Sequence, residues 1–331
     1  MISVEHLTKY YGKHLAVDDI SFEISQGHVY GFLGPNGAGK STTMNIITGC
    51  LSASEGKILI DGHDIFEEPN EAKKRIGYLP EHPPLYMNES PLEYLRFVGE
   101  AKGLRGAELT AQIKEVIEKT GIEQVKNRRI STLSKGYKQR VGIAQALLGN
   151  PEVIILDEPT VGLDPIQLIE IRQLILSLGE QHTVIFSSHI LSEIQAICDR
   201  ILMIAHGKLV AFGEPEELRK QLFSSHEIVV TTDASAEELP AILANIEDIT
   251  ELTIEQNEKN TCVARIKTKN DDIYKLSSAV FRAFAAGDHV IYEMTLKKGD
   301  LEDIFLELSD AAADVKQPED PTSTESEEQT E

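Results

Sequence analysis

The sequence predicts an α/β fold built around a mostly parallel sheet. One observation is a short apolar strand, Val29–Leu33, that leads into a glycine-rich loop and then into a helix-compatible stretch at residues 41–48. Another is the aliphatic run Val153–Leu156, which ends in two carboxylates. Unbroken aliphatic strands are typical of parallel sheets covered on both faces, and such sheets bind ligands at the carboxyl ends of their strands. At roughly 150 residues per domain, the length of 331 residues predicts about two domains.

The glycine-rich loop has the composition and the context of a phosphate cradle. Glycines let consecutive backbone N–H groups converge on phosphate oxygens at a helix N-terminus, where the helix dipole also favours negative charge. The lysine of this loop supplies a positive charge for the β- and γ-phosphates, and the serine after it supplies a hydroxyl to magnesium. The strand-loop-helix order argues against an ordinary tight turn. The predicted phosphate-binding residues are Gly34, Pro35, Asn36, Gly37, Ala38, Gly39, Lys40, Ser41 and Thr42.

The two carboxylates after the aliphatic run suit two different tasks. Asp157 is placed to hold magnesium, usually through water. Glu158 can accept a proton from the water that attacks the γ-phosphate. On their own, two acidic residues after a strand are more often a solvated strand end. Their combination with the glycine-rich loop favours the catalytic interpretation.

Composition and charge exclude several classes of protein. The 32 Lys and Arg residues against 54 Asp and Glu residues give a net charge of −22, so we expect no nucleic-acid partner. No apolar run approaches the roughly 20 residues that a membrane-spanning helix needs. The N-terminus has neither the basic nor the apolar region of a secretory signal. The three cysteines lack metal-ligand spacing, which favours a reducing cytoplasm and predicts that each is a small buried residue.

A third landmark, residues 133–140, reads Leu-Ser-Lys-Gly-Tyr-Lys-Gln-Arg and precedes a helical run at residues 141–148. A serine and a glycine at a helix start are by themselves only an N-cap. Together with the glycine-rich loop and the carboxylates, this segment resembles the signature loop of the ATP-binding subunits of ABC transporters. The resemblance implies that Ser134 and Gly136 contact the γ-phosphate held by the opposite subunit of a dimer.

Three more positions match this family, each of them weak alone. Tyr11 resembles the aromatic residue that stacks on adenine, although an early tyrosine is more often a core residue. His189, after a predicted strand at residues 183–186, resembles the switch histidine that contacts the γ-phosphate, although a lone histidine at a strand end is usually structural. Asp164 resembles the loop residue that links one active site to the other across the dimer.

Two positions depart from the family pattern. The signature usually has two adjacent glycines and then Gln, whereas this chain has Lys135-Gly136-Tyr137, so we expect Lys135 to point away from the nucleotide. Glu81 stands where the family usually has Gln, and it retains an oxygen ligand toward magnesium. The segment at residues 78–86 and the signature loop are similar to the ABC-2 export branch, which includes the gliding-motility-type and copper-maturation-type ATPases.

The resemblance implies a P-loop NTPase cassette over residues 1–215, with a mostly parallel sheet core, an antiparallel β subdomain and a helical subdomain at residues 83–150. Within the helical subdomain, Thr110 is a plausible helix cap. Residues 216–310 contain a βαββαβ order, which predicts a ferredoxin-like α+β domain with a closing helix. Its role would be dimerisation or regulation, with a small-ligand sensor as the alternative. Residues 311–331 are expected to form an acidic disordered tail.

The function implied is an ATPase that uses ATP and Mg²⁺, dimerises as two identical cassettes and powers a separate multi-spanning permease of the ABC-2 export type. It would lie on the inner face of the cell membrane, held there through the permease. The implied catalytic residues are Glu158, His189 and Lys40, and the implied metal ligands are Ser41, Asp157 and Glu81.

The alternative is a soluble ABC ATPase that acts in regulation or nucleic-acid metabolism. Translation-associated relatives carry two cassettes, and repair relatives carry zinc modules or coiled coils, whereas this sequence shows one cassette and neither addition. A third alternative is a phosphate-binding kinase or GTPase of another branch. It would not explain why Ser134, Gly136 and His189 occur in this order.

Overall fold

The structure is a computed structural model that describes residues 1–222, 226–246, 248–257, 261–268 and 272–297. These ranges contain three sheets and ten α-helices. The strands are β1 (Ile2–Tyr11), β2 (His14–Ile24), β3 (Val29–Leu33), β4 (Glu55–Ile60), β5 (His63–Asp64), β6 (Ile76–Leu79), β7 (Val153–Leu156), β8 (Thr183–Ser188), β9 (Arg200–Ala205), β10 (Lys208–Gly213), β11 (His226–Thr232), β12 (Ile249–Asn257), β13 (Thr261–Thr268) and β14 (Ile291–Lys297). The helices are α1 (Lys40–Ile47), α2 (Pro69–Lys74), α3 (Pro91–Ala101), α4 (Gly106–Lys119), α5 (Lys135–Leu147), α6 (Pro165–Gly179), α7 (Leu191–Ile197), α8 (Pro215–Leu222), α9 (Leu239–Leu243) and α10 (Ile273–Ala286).

A six-stranded sheet forms the centre of the first part of the chain, with the strand order β10-β9-β3-β8-β7-β6. Its strands pair in parallel except for β10, which runs antiparallel to β9. Strands β3 and β7 have the predicted bounds, and all their residues are buried. Within β7, Ile154 and Leu156 join one hydrophobic cluster, while Val153 and Ile155 join the other. The sheet is therefore covered on both faces, as the aliphatic run predicted.

Parallel pairing brings the functional loops to one edge of this sheet. Strands β3 and β7 both pair with β8, and β6 pairs with β7 on its other side. The carboxyl ends of parallel strands lie at the same edge. The glycine-rich loop after β3, Glu81 after β6, the two carboxylates after β7 and His189 after β8 consequently face a common region.

An antiparallel sheet with the order β2-β1-β4-β5 covers one face of the central sheet. Leu7 of β1, Ile20 of β2 and Ile58 of β4 pack in the same cluster as Phe32 of β3 and Ile46 of α1. Tyr11, at the end of β1, lies beside the glycine-rich loop and lines a cavity together with Asn36 and Gly37.

Helices α3, α4 and α5 pack on the opposite side. Ser90 begins α3 with a capping box that Glu93 completes, and Ser134 caps α5. The expected cap at Thr110 is wrong: α4 begins at Gly106, and Thr110 lies inside it with its hydroxyl donating to the carbonyl of Gly106 at 3.1 Å. A hydroxyl can satisfy the preceding turn in this way as well as cap a helix.

The described residues between 226 and 297 have their own antiparallel sheet with the order β12-β13-β11-β14. Helices α9 and α10 bury Leu239, Leu243, Val280 and Phe284 against it. The elements follow the predicted βαββαβ order. The closing helix and the acidic tail of the prediction lie outside the described residues.

Two further predictions from composition can be compared with the structure. Cys198 and Cys262 are buried as expected, but the expectation is wrong for Cys50, which is exposed just after α1. Among the described residues, no helix is both long enough and apolar enough to cross a membrane.

Candidate active site

The glycine-rich loop is folded tightly between β3 and α1. Gly39 has a φ of 105°, and a Cβ there would lie 2.6 Å from the carbonyl oxygen of Ala16. A side chain at this position would therefore be strained and would also collide with backbone. The loop is closed by a hydrogen bond from the amide of Ala38 to the carbonyl of Pro35 at 3.2 Å, and the carbonyl of Ala38 accepts one from the amide of Gly207 at 3.0 Å.

Lys40 points back under this loop. Its side chain is only 6% exposed, and its Nζ donates to the carbonyl of Gly34 at 2.8 Å and to that of Pro35 at 3.3 Å. The same Nζ lies 3.4 Å from Oε1 of Glu158, whose side chain is 8% exposed. The ammonium thus sits between the loop that precedes α1 and the carboxylate that follows β7.

Asp157 is buried, with 2% of its surface exposed. Its Oδ1 accepts hydrogen bonds from the hydroxyls of Ser187 at 2.6 Å and Ser41 at 3.1 Å. Burial raises the pKa of the Asp157 carboxyl, and the two serine hydroxyls act in the opposite direction by stabilising its charged form. The negative charge of Glu81 raises this pKa further, and the positive charge of Lys40 lowers it.

Glu158 has a left-handed backbone, with a φ of 48°. This conformation costs a non-glycine residue of order 1–3 kcal/mol, and it persists where the surroundings enforce it. The amide of Glu158 donates to the hydroxyl of Ser187 at 2.7 Å. Its Oε2 lies 3.0 Å from Nδ1 of His189, on the opposite side from Lys40. The carboxylate is therefore held between a lysine and a histidine.

These groups surround a cavity of about 550 Å³. The predicted residues that line it are Tyr11, Asn36, Gly37, Gly39, Lys40, Ser41, Thr42, Glu81, Glu158 and His189. Four of the residues predicted for the phosphates and the metal are not among its lining: Gly34, Pro35, Ala38 and Asp157. Of these, Gly34 and Pro35 hold Lys40 by their carbonyls, and Asp157 acts through the hydroxyl of Ser41.

Sequence reasoning missed several residues of the site. His14, Ala16 and Val161 also line the cavity. Ser187 bridges Asp157 to the amide of Glu158 without reaching the cavity. The only sequence signal for Ser187 was its position at the end of a predicted strand, just before the Ser188-His189 pair.

The residues predicted to act across a dimer form a second surface. Ser134, Gly136 and Asp164 line a cavity of about 440 Å³ that shares no lining residue with the first. Ser134 accepts the amide of Tyr137 at 3.4 Å, and Asp164 caps α6. Lys135 lines neither of these two cavities. Its Nζ instead lies against Gly162, where a Cβ would collide with it.

Comparisons with known proteins identify the family of this chain. Residues 17–161 match the family model described as ABC transporter. The linearmycin resistance ATP-binding protein LnrL of Bacillus subtilis (strain 168) is 32% identical over 311 residues, which cover 93% of this chain and 98% of that protein. The bacitracin transport ATP-binding protein BcrA of Bacillus licheniformis is 40% identical over 67% of this chain and 72% of its own length.

Solved structures give the same result for the cassette. The structure of cbiO1 from Clostridium perfringens, part of the ABC transporter complex cbiONQ, is 31% identical with a TM-score of 0.60, covering 66% of this chain and 89% of its own. The ATP-binding cassette MJ0796, in a dimeric post-hydrolysis state bound to ADP and Pi, is 28% identical with a TM-score of 0.59, covering 65% and 98%. The family model and the solved structures match the cassette, and LnrL is matched over 98% of its length. This chain therefore belongs to the ABC transporter ATP-binding proteins, which bind and hydrolyse ATP.

Proposed function

We propose that two copies of this chain close around two Mg-ATP molecules and thereby drive a separate multi-spanning permease. The observation that carries the proposal is the separation of the two residue sets. Lys40, Glu158 and His189 line one cavity, whereas Ser134 and Gly136 line another. If both sets contact one nucleotide, the second set must come from another copy of the cassette.

The proposed mechanism begins with an exchange of partners at Lys40. The γ-phosphate attracts the ammonium of Lys40, which weakens its contact with Glu158. Glu158 then accepts a proton from the water whose oxygen bonds to the γ-phosphorus as the bond from that phosphorus to ADP breaks, and His189 holds the carboxylate through its contact of 3.0 Å. Because the carboxylate is 8% exposed, it has few competing water contacts, and its interactions with neighbouring charges are strong.

The residues beside the cavity fit a magnesium ion. The hydroxyl of Ser41 and the carboxylates of Asp157 and Glu81 are hard oxygen donors, which Mg²⁺ prefers. Among the described residues, no group of three or more His, Cys, Asp or Glu forms a metal site of its own. This suits an ion that takes most of its ligands from phosphate and water. When bound, Mg²⁺ neutralises charge that develops on the phosphate oxygens.

The proposed contact with the permease is an exposed aromatic cluster formed by Tyr86, which precedes α3, and Phe97 of α3. Tyr86 and Phe97 are 47% and 51% exposed, and their ring centroids lie 5.1 Å apart. The ring of Tyr86 also meets that of the buried Tyr94 at 5.6 Å. Because this cluster follows Glu81 along the chain, a membrane partner that docks here would be mechanically connected to the nucleotide site.

Outward transport is the proposed direction. The similarity of the signature loop and of residues 78–86 to the ABC-2 branch supports it. One relative is named for linearmycin resistance and another for bacitracin transport, and resistance to a compound is what its export confers. With no spanning helix among the described residues, attachment to the inner face of the membrane would come from the permease.

Replacing Glu158 by Gln removes the proposed proton acceptor while keeping its size. We expect ATP turnover to fall by roughly 10²- to 10⁴-fold while ATP still binds, and an ATP-stabilised dimer to accumulate.

Lys40→Ala is the contrasting variant, because it removes a charge that contacts the bound phosphates. We expect it to weaken ATP binding by roughly tenfold or more. Steady-state turnover, equilibrium ATP binding and size-exclusion chromatography measure these effects. Wild-type turnover by Glu158→Gln would exclude Glu158 as the base.

Substitution of Glu81 tests its proposed role as an oxygen ligand. We expect Glu81→Gln to retain ATPase activity because an oxygen remains, and Glu81→Ala to lose stimulation of ATPase activity by the permease. Turnover of the reconstituted complex is measured over a magnesium titration. If neither substitution changes turnover or its magnesium dependence, Glu81 is an ordinary exposed carboxylate.

The aromatic cluster provides a test of membrane attachment. We expect the double variant Tyr86→Ser/Phe97→Ser to leave the membrane fraction of cells that co-express the permease, while its basal ATPase activity is retained. Phe66→Ser is the control, since Phe66 is also an exposed aromatic residue, at 41%, but lies beside β5. Undiminished membrane association of the double variant, or of the wild type in cells without the permease, would contradict the docking proposal.

A further inference from the structure

Glu193 is a buried carboxylate that belongs to neither cavity. It lies in α7 with 1% of its surface exposed. Its Oε2 accepts two hydrogen bonds, from the hydroxyl of Thr160 at 2.7 Å and from that of Ser188 at 2.9 Å. Both hydroxyls belong to buried residues, so solvent does not compete with these bonds.

The two hydroxyls come from the segments that carry the proposed catalytic residues. Thr160 follows Glu158 by two positions, and Ser188 immediately precedes His189. The hydroxyl of Ser188 also accepts the amide of Ile190 at 3.0 Å, which fixes the backbone on the other side of His189. One carboxylate oxygen thus joins the loop after β7 to the end of β8, behind the contact between Glu158 and His189.

The charge of Glu193 is only loosely compensated. Arg172 of α6 pairs with it at long range, with its NH2 3.8 Å from Oε1 of Glu193. Within the part of the chain that the structure describes, neither that Oε1 nor Nε of Arg172 has a hydrogen-bond partner. Burying a charge in this way is costly, and well-packed apolar residues in place of a buried ion pair are often neutral or stabilising. Stability alone therefore does not account for a carboxylate at this position. Its two hydrogen bonds instead hold the segments of Thr160 and Ser188 in a fixed arrangement.

We propose that Glu193 is a positioning residue for ATP hydrolysis. Through Thr160 and Ser188 it fixes the separation and orientation of Glu158 and His189, without touching the nucleotide. The inference rests on the proposed roles of these two residues. If the hydroxyl contacts are lost, Glu158 and His189 can move apart, and small displacements of catalytic groups slow turnover strongly.

The test removes each hydroxyl while leaving Glu193 in place, because loss of the carboxylate itself could prevent folding. We expect Thr160→Val and Ser188→Ala each to lower kcat about tenfold, with the ATP dissociation constant within about twofold of wild type. Thr160→Ser keeps the hydroxyl and is expected to restore kcat. The matched control is Thr120→Val, since Thr120 is also buried but its hydroxyl donates to Val116 within α4.

Repeating Ser188→Ala in a His189→Ala chain distinguishes an effect of Ser188 on the position of His189 from an effect on overall stability. If Ser188 acts through His189, Ser188→Ala is expected to change kcat less than about twofold in a His189→Ala chain. Nucleotide-binding stoichiometry counts the folded sites, so that kcat refers to competent protein only. Wild-type kcat in Thr160→Val, no rescue by Thr160→Ser, or an undiminished effect of Ser188→Ala in the His189→Ala background would overturn the proposal. Wild-type turnover by Glu158→Gln would instead overturn the proposed function itself.

Discussion

The ion pair between Lys40 and Glu158 is the interaction on which the nucleotide site depends. Its Nζ and Oε1 atoms lie 3.4 Å apart, and both side chains are almost inaccessible to solvent. A buried charge without a partner destabilises a protein by several kcal/mol. The loop before α1 and the end of β7 are therefore held together by this contact. The parallel order of the sheet, with β8 between β3 and β7, makes this contact possible.

Each member of this ion pair also has partners besides the other member. Lys40 also donates to two loop carbonyls, so its ammonium is not held by Glu158 alone. On the other side, Glu158 keeps His189, and its amide keeps the hydroxyl of Ser187. Those contacts maintain a left-handed backbone at Glu158 that is unfavourable by itself. This unfavourable backbone conformation is thus maintained by Ser187 of β8 and by His189 just after it, which are distant from Glu158 in sequence.

Local chemistry decided which features the sequence could predict. The bounds of β3 and β7 follow from unbroken aliphatic runs, and the tight loop between β3 and α1 follows from glycines whose conformation few other residues adopt. Two hydroxyl contacts, one to Asp157 and one to Glu193, were missed, because they join residues 30 and 33 positions apart and leave no periodic pattern. The predictions for Thr110 and Cys50 were wrong for a different reason. Their residue types allow two environments each, and only tertiary packing selects one.

A double-mutant cycle on the unfolding of the nucleotide-free protein measures the ion pair most directly. Lys40→Met and Glu158→Gln each remove one member of the ion pair and leave the other charge buried without it, so we expect each to lower the free energy of unfolding in urea by about 3 kcal/mol. The double variant removes both charges, and we expect it to lose less stability than either single variant. Losses that simply add in the double variant would show that Lys40 and Glu158 do not compensate each other, and would contradict the dependence of the nucleotide site on their contact.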